Sequence, residues 1–417
     1  MSKEKFISKS LTHVGSTSQA ANSLLDGIDL NKLSFALIYS DFKNDNSSLM
    51  REISSKIGGK PLIGCTTSGE IGSSGPLEGG LSFVACIDPD ISAKAHMVRG
   101  AMSRPESAGR DIARAIKSDP VEDKEFKALI VHSPGFNVQD GGWEPSIFSE
   151  LTKEFPKHTI IGGSAGDGLQ FLGGQLFCGG TAIEDGVVAL EISNSNKMIT
   201  NLKHGYEPTG RKMRITKMKG NTVFELDGKK AIRVYADLLG IKEKELTKGL
   251  GILKLGGFMP KKFTSFGQKL GMTPQKMLDE LPFYRHTLKN PFGIKHESTG
   301  DYYTVIPKVI ADKGGIEFNN APPQGAVIEL MKRNETDFAS ALTKSIDENN
   351  EKIGQAASFH LVVECAGRRM ILGNAWKSSY SSDSVGDSAI CGFFSHGEQG
   401  GEVLTCNNYS VATLSFT

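Results

Sequence analysis

The stretch Leu62-Ile63-Gly64-Cys65-Thr66-Thr67-Ser68-Gly69-Glu70 decides the reading of this chain, because it returns twice in altered form. The second copy is Ile160-Ile161-Gly162-Gly163-Ser164-Ala165-Gly166-Asp167, and the third is Ile390-Cys391-Gly392-Phe393-Phe394-Ser395-His396-Gly397-Glu398. Each is an apolar run that passes through glycine and ends in Gly-(Glu/Asp). About thirty residues before each lies another apolar run: Phe35-Ala36-Leu37-Ile38-Tyr39, Ala128-Leu129-Ile130-Val131 and Phe359-His360-Leu361-Val362-Val363. Short apolar runs of this kind read as buried strands, and the spacing leaves room for a helix between them. Residues 47–56 and 145–154 have helical spacing in the first two copies. After each Gly-acid turn a further strand is expected, at 81–86, 186–192 and 409–416.

Repetition of one strand–helix–strand module predicts an α/β fold, with α+β as the alternative, in which helices lie outside sheet-rich cores. A weaker fourth copy is read at Tyr302-Tyr303-Thr304-Val305-Ile306, ending in Ala326-Val327-Ile328-Glu329-Leu330. Residues 211–285 differ in character, being rich in Lys and Leu. Helices are expected near 229–239 and 274–281, and Val223-Phe224-Glu225-Leu226-Asp227-Gly228 reads as a strand ending in a turn. The boundary is therefore placed near 210, giving two sheet-rich domains, 1–210 and 211–417.

Composition narrows the function. Lys and Arg number 48 against 47 for Asp and Glu, so there is no electrostatic drive toward nucleic acid or an anionic membrane. No run approaches the roughly 18 apolar residues of a membrane span, and the N-terminus lacks the apolar core of a secretory signal. A cytoplasmic location without membrane insertion is expected. Six scattered cysteines without a Cys-x-x-Cys pair argue against a disulfide framework or a structural zinc site.

The ordered set of Gly64-Cys65-Thr66-Thr67-Ser68-Gly69-Glu70-Ile71, Gly162-Gly163-Ser164-Ala165-Gly166-Asp167, Val223 to Gly228, Cys365-Ala366-Gly367-Arg368 and Gly392 to Glu398 resembles the FIST family, with its N-terminal and C-terminal FIST domains. The resemblance covers roughly residues 10–417. It implies an intracellular sensor that binds a small polar ligand, amino acids being the proposed class, and is not an enzyme. It also implies, for one bacterial subgroup, haem binding and nitric-oxide sensing that act on a histidine kinase or a cyclic-di-nucleotide enzyme. The residues contain no kinase, GGDEF-type or F-box segment, so a separate signalling protein is the expected partner. Two departures stand out: Gly397-Glu398 is followed by Gln399 where the family continues with Ile, and residues 254–289 are longer and more basic than expected.

Candidate ligand-binding residues are Cys365, Arg368, His396, Gly397 and Glu398. Arg368 offers a guanidinium fork for a carboxylate. Cys365, beside two arginines at a strand end, could have a lowered pKa and line a pocket. His396 is the distinctive member of its turn, since the other two turns carry no histidine; their shared Gly-acid pairs point to a structural role for that pair. The pocket is expected between the two halves. No cofactor is firmly expected. In the haem alternative, His204 of His204-Gly205-Tyr206-Glu207-Pro208-Thr209 is the candidate iron ligand. A third alternative is an enzyme with Cys365 as nucleophile and His396 as base. The Gly162 to Gly168 loop lacks the Lys-(Ser/Thr) ending of a phosphate loop, and Pro134-Gly135-Phe136 reads as a loop that could rim a pocket.

Overall fold

The computed structural model describes residues 5–135, 142–168, 170, 173–248, 282–318, 322–373, 377–380, 383–402 and 404–417. The helix expected at 274–281, Phe136 and most of the basic 254–289 stretch lie outside the described residues. The chain divides into two compact units: residues 1–203 together with 339–417, and residues 204–338.

The first unit contains the three repeats. Each has a central pair of parallel strands: Phe35–Asp41 with Leu62–Thr67, Phe126–Ser133 with Thr159–Ser164, and Phe359–Cys365 with Ala389–Ser395. A third strand runs antiparallel beside the first of each pair: Leu81–Cys86, Gly186–Asn194 and Val411–Phe416. A leading strand closes that edge: Phe6–Leu11, Ser92–Arg99 and Met198–Lys203. All the repeated strands expected from sequence are present.

The hairpin that follows each Gly-acid turn does not stay in its own sheet. Glu70–Gly72 and Gly75–Leu77 add to the third sheet through Ala389–Ser395. Leu176–Cys178 and Thr181–Ile183 add to the first through Leu62–Thr67. Glu398–Gly400 and Thr405–Asn407 add to the second through Thr159–Ser164. Each repeat thus completes the sheet of another, and the exchange closes on itself.

Strand alternation explains the layering. In the first repeat Phe35, Leu37 and Tyr39 point into a core shared with Ala128, Ile130, Phe359, Leu361 and Val363 of the other two. Phe6 stacks on Phe359 at 4.9 Å between ring centroids, joining the first and third sheets. The intervening residues Ala36 and Ile38 face helices Thr17–Leu25 and Asn46–Lys56. Leu129 and Val131 face Pro105–Ser118 and Glu144–Glu154. Val362 faces Ala341–Ile353. The helices are amphipathic: Pro105–Ser118 buries Ala108, Ile112, Ala113 and Ile116 along one stripe. Thr17–Leu25 starts at a capping box between Ser16 and Gln19.

The second unit, residues 204–338, is inserted in sequence between the leading strand Met198–Lys203 and the first helix Ala341–Ile353 of the third repeat. This differs from two successive halves meeting at 210, because residues 339–417 return to the sheets of the first unit. The fourth expected repeat falls in the insertion and is not a strand–helix–strand module. Tyr302–Val305 pairs antiparallel with Phe292–Lys295, and Val327–Arg333 pairs antiparallel with Tyr206–Lys219. The two apolar runs are β-rich but belong to an antiparallel sheet, whose core includes Ile215, Val223, Tyr235, Phe292, Phe318 and Ile328. The strand Thr222–Leu226 and the helix Ala231–Leu239 lie where the sequence placed them.

Candidate functional site

Strand register aligns the three turns. Thr67, Ser164 and Ser395 each pair with the last residue of the neighbouring parallel strand: Asp41, Ser133 and Cys365. The aligned turns then read Thr67-Ser68-Gly69-Glu70, Ser164-Ala165-Gly166-Asp167 and Ser395-His396-Gly397-Glu398. A hydroxyl, a glycine and an acid recur; the second position varies as Ser68, Ala165 and His396.

The recurring residues build the turn. Thr67 Oγ1 donates to Glu70 Oε1, and the Gly80 amide donates to Glu70 Oε2 at 3.0 Å. In the third turn Ser395 Oγ donates to Glu398 Oε1 at 2.5 Å, while Ser410 donates to Oε2 from its hydroxyl at 2.9 Å and its amide at 3.3 Å. Each glutamate therefore clasps its own strand end to the start of the next strand. The second turn divides the task. Ser164 Oγ donates to Glu144 Oε1 at 2.6 Å, and Asp167 accepts from the Gln170 amide at 3.0 Å and the Gly173 amide at 3.1 Å. The turns also bond to one another. The Ser68 amide donates to the Phe394 carbonyl, the Gly166 amide to the Thr66 carbonyl, and the Ser164 amide to the Gly397 carbonyl.

Burial pushes the Glu398 carboxyl up to about 8 against the pull of its Ser395 and Ser410 hydrogen bonds, and pushes Glu70 up to about 7. A raised folded value means that the folded chain holds a proton which the unfolded chain releases near 4.5. The stability tied to that proton is fully present below about 4.5 and is lost as pH rises through about 8. Urea midpoints should fall between pH 5 and pH 8.5, and Glu398→Gln should flatten that fall. An unchanged slope in the variant would show that Glu398 does not carry it.

The variable positions meet. Ser68 Oγ lies 2.8 Å from His396 Nε2, and Asp167 Oδ1 lies 3.8 Å from the same nitrogen. Ser68 and His396 are each 8% exposed, and Asp167 is 4% exposed. Arg369 approaches from the helix Ala366–Leu372: its Nη1 donates to the Ser68 carbonyl at 3.2 Å, and Nη2 donates to Glu78. Its guanidinium carbon sits 5.0 Å from the Phe394 ring centroid. Gly69 leaves the space that Nη1 occupies, since a Cβ there would lie 2.2 Å from it, and its φ of +128° is open to glycine. The cluster stands at the C-terminal ends of parallel strand pairs, where α/β proteins hold ligands.

Of the residues expected to bind ligand, His396 is the one in this cluster. Gly397 and Glu398 spend their contacts on the turn itself. A Cβ at Gly397 would press within 3.2 Å of Glu144 Oε1 and Ser164 Oγ. Arg368 is not a carboxylate fork open to ligand. It is buried, with Nε donating to Glu364 Oε1 at 3.1 Å, and Tyr380 donates to the other oxygen of Glu364. Cys365 is buried too. Burial first, and the nearby Glu398 charge second, push its thiol well above the usual range, the opposite of the lowering expected from the arginines.

His204 lies in the second unit. Its Nδ1 accepts from the Tyr206 amide at 2.9 Å, and Nε2 is 2.8 Å from the Tyr302 carbonyl. A carbonyl only accepts, so Nε2 carries the proton and the lone pair of Nδ1 is engaged. This arrangement does not fit an axial ligand to haem iron, which needs a lone pair. Among the described residues, no group of three or more His, Cys, Asp or Glu is placed to hold a metal ion. No helix among them is long and apolar enough to cross a membrane.

Ser68, Asp167 and Arg369 were not singled out by sequence reasoning. The available signal was alignment of the three turns on their hydroxyls, which isolates Ser68, Ala165 and His396 as the positions that break the repeat.

The FIST N domain matches residues 34–229 and the FIST C domain matches residues 270–401. The chain belongs to the FIST family. FIST domains are associated with signal transduction and ligand sensing. An uncharacterized protein of Methanocaldococcus jannaschii is 27% identical over 316 residues, which cover 74% of this FIST chain and 55% of that protein. The chain thus spans little more than half the length of that relative. Among solved structures, a cyanuric acid hydrolase from A. caulinodans aligns over 48% of this chain and 71% of its own, at 11% identity and a TM-score of 0.25. A likeness that slight bears on neither fold nor chemistry.

Proposed function

We propose that this FIST protein is a ligand-sensing signal-transduction protein of the cytoplasm. It binds a small polar, amino-acid-like molecule at the ring of turns and signals to a separate partner protein, a histidine kinase being the partner that the family resemblance suggests. The observation that carries the reading is the meeting of Ser68 and Asp167, from the FIST N match, with His396 and Arg369, from the FIST C match. A molecule bound there would tie the two matched segments together, so that occupancy alters how they hold each other.

The chemistry suits a zwitterion. The guanidinium of Arg369 supplies paired donors for a carboxylate, and the Asp167 carboxylate with the Ser68 hydroxyl supplies acceptors for an ammonium. Arg369 is anchored by Glu78, whose side chain is 77% exposed, and an exposed pair of this kind is cheap to exchange for a ligand carboxylate. The test is a thermal-shift screen of amino acids and organic acids. A ligand at a hundred times its Kd should stabilise the fold by about 2.7 kcal/mol. Asp167→Asn and Arg369→Gln should abolish the shift. Absence of a shift from every amino acid and organic acid at millimolar concentration would overturn the proposal.

A further inference from the structure

We propose that Ser68 and His396 form a nucleophile–base pair, which gives the ring of turns an acyl-transfer activity on small esters in addition to binding. The argument starts from the turn. In the three aligned turns the hydroxyl side chain is bonded to a buried carboxylate each time, while the side chain at the second position changes from turn to turn. In two of the turns that position carries chemistry-bearing side chains, and these face each other across repeats. Ser68 Oγ is 2.8 Å from His396 Nε2, which is the reach a general base needs to take a hydroxyl proton.

Two charged groups complete the arrangement. Asp167 Oδ1, 3.8 Å from Nε2, places a negative charge where the imidazolium forms as it takes the proton. This differs from a relay triad, because the carboxylate stands beside the nitrogen that faces serine. Arg369, bonded to the Ser68 carbonyl through Nη1 at 3.2 Å, is the local cation for an oxyanion that develops on a carbonyl attacked by Ser68. Cys365, the nucleophile considered from sequence, has none of this support, since burial holds its thiol protonated.

The step balances with water as the second reactant. Ser68 Oγ bonds to the acyl carbon, and its proton passes to His396 Nε2. The carbon–oxygen bond to the leaving alcohol breaks, and the alcohol departs with that proton. Water then attacks the acyl-Ser68 ester, again losing a proton to Nε2, and the carboxylic acid leaves as Ser68 regains its hydrogen. One ester and one water give one acid and one alcohol.

The full-length protein is incubated with a fluorophosphonate probe, and the modified peptide is mapped by mass spectrometry. A single adduct on Ser68 is expected, with its rate of formation falling about a hundredfold or more in His396→Gln. Hydrolysis of p-nitrophenyl acetate should fall by a similar factor in Ser68→Ala, with the melting curves of both variants checked against the parent. The parent mapping needs no variant, so a poorly folding substitution leaves the test intact. No adduct at Ser68, labelling scattered over surface serines, or an unchanged rate in folded His396→Gln would each overturn the pair. Binding of ligand by a chain whose Ser68 stays unlabelled would remove this activity and leave the sensor standing.

Discussion

Replacing Arg368 by Ala should cost the first unit about 3–5 kcal/mol of stability. The residue comes from a short helix, Ala366–Leu372, and its side chain is 1% exposed. Its Nε holds Glu364, itself 2% exposed at the end of the strand Phe359–Cys365. Alanine leaves the Glu364 carboxylate buried with the Tyr380 hydroxyl but without its cation. A buried charge stripped of its partner is far more expensive than a pair that was never made. The double variant Glu364→Leu with Arg368→Met should therefore recover most of the loss, because it removes the charge together with its partner. Urea unfolding at pH 7, followed by the fluorescence change of the first unit, compares all three proteins. A loss below about 1 kcal/mol in the single variant would mean that Glu364 reaches water, and that the pair is not the anchor described here.

The second large effect is at Gly64, in the strand Leu62–Thr67. It pairs with Ile38 of the parallel neighbour, and a Cβ added to it would lie 1.7 Å from the Ile38 carbonyl oxygen and 2.7 Å from the carbonyl carbon. Both atoms are backbone, so no rotamer change relieves the contact. Gly64→Ala must push the two central strands of the first repeat apart, at a cost of about 3 kcal/mol, the upper end of ordinary overpacking. Gly180→Ala is the control, because its added Cβ would find atoms no nearer than 3.5 Å. It should change stability by no more than about 0.5 kcal/mol. Equal denaturation midpoints for the two variants would show that the strands yield without strain.

The threefold module was legible because its strands are buried on both faces. Phe35 to Tyr39 and Leu361 to Val363 lie between the shared core and their own helices, so they appear in sequence as unbroken apolar runs. The same rule misled at Tyr302–Val305 and Val327–Arg333, where apolar runs belong to an antiparallel sheet. Nothing in a short run marks the direction of its neighbour. The hairpin exchange left no local trace either, since Leu176 pairs with Cys65, and Glu398 with Gly163. At the site, His396 stood out as the odd member of a repeated turn, and the structural use of the Gly-acid pair followed from its recurrence. Nothing in the sequence separates Arg369 from Arg368: adjacent residues on a helix differ by about 100° in direction, and a seven-residue segment carries too little pattern to fix the phase. Ser68 and Asp167 were in view from the outset. Their convergence on His396 depends on tertiary closure that no spacing encodes.

The closed exchange of hairpins has a consequence for how the chain is made. Ile71 has its strand partner at Gly392, and Gln399 has its partner at Gly162. A nascent chain leaving the ribosome exposes the first repeat long before the strand that receives its hairpin has been translated. The opening sheets therefore wait with unpaired edges through synthesis of the whole 204–338 insertion. Pairings this distant make folding slow, and make the incomplete chain a substrate for aggregation or for chaperones that cover such edges. Completion of the ring is in this sense a checkpoint on translation: a chain cut short before its last repeat cannot bring Ser68, Asp167 and His396 together.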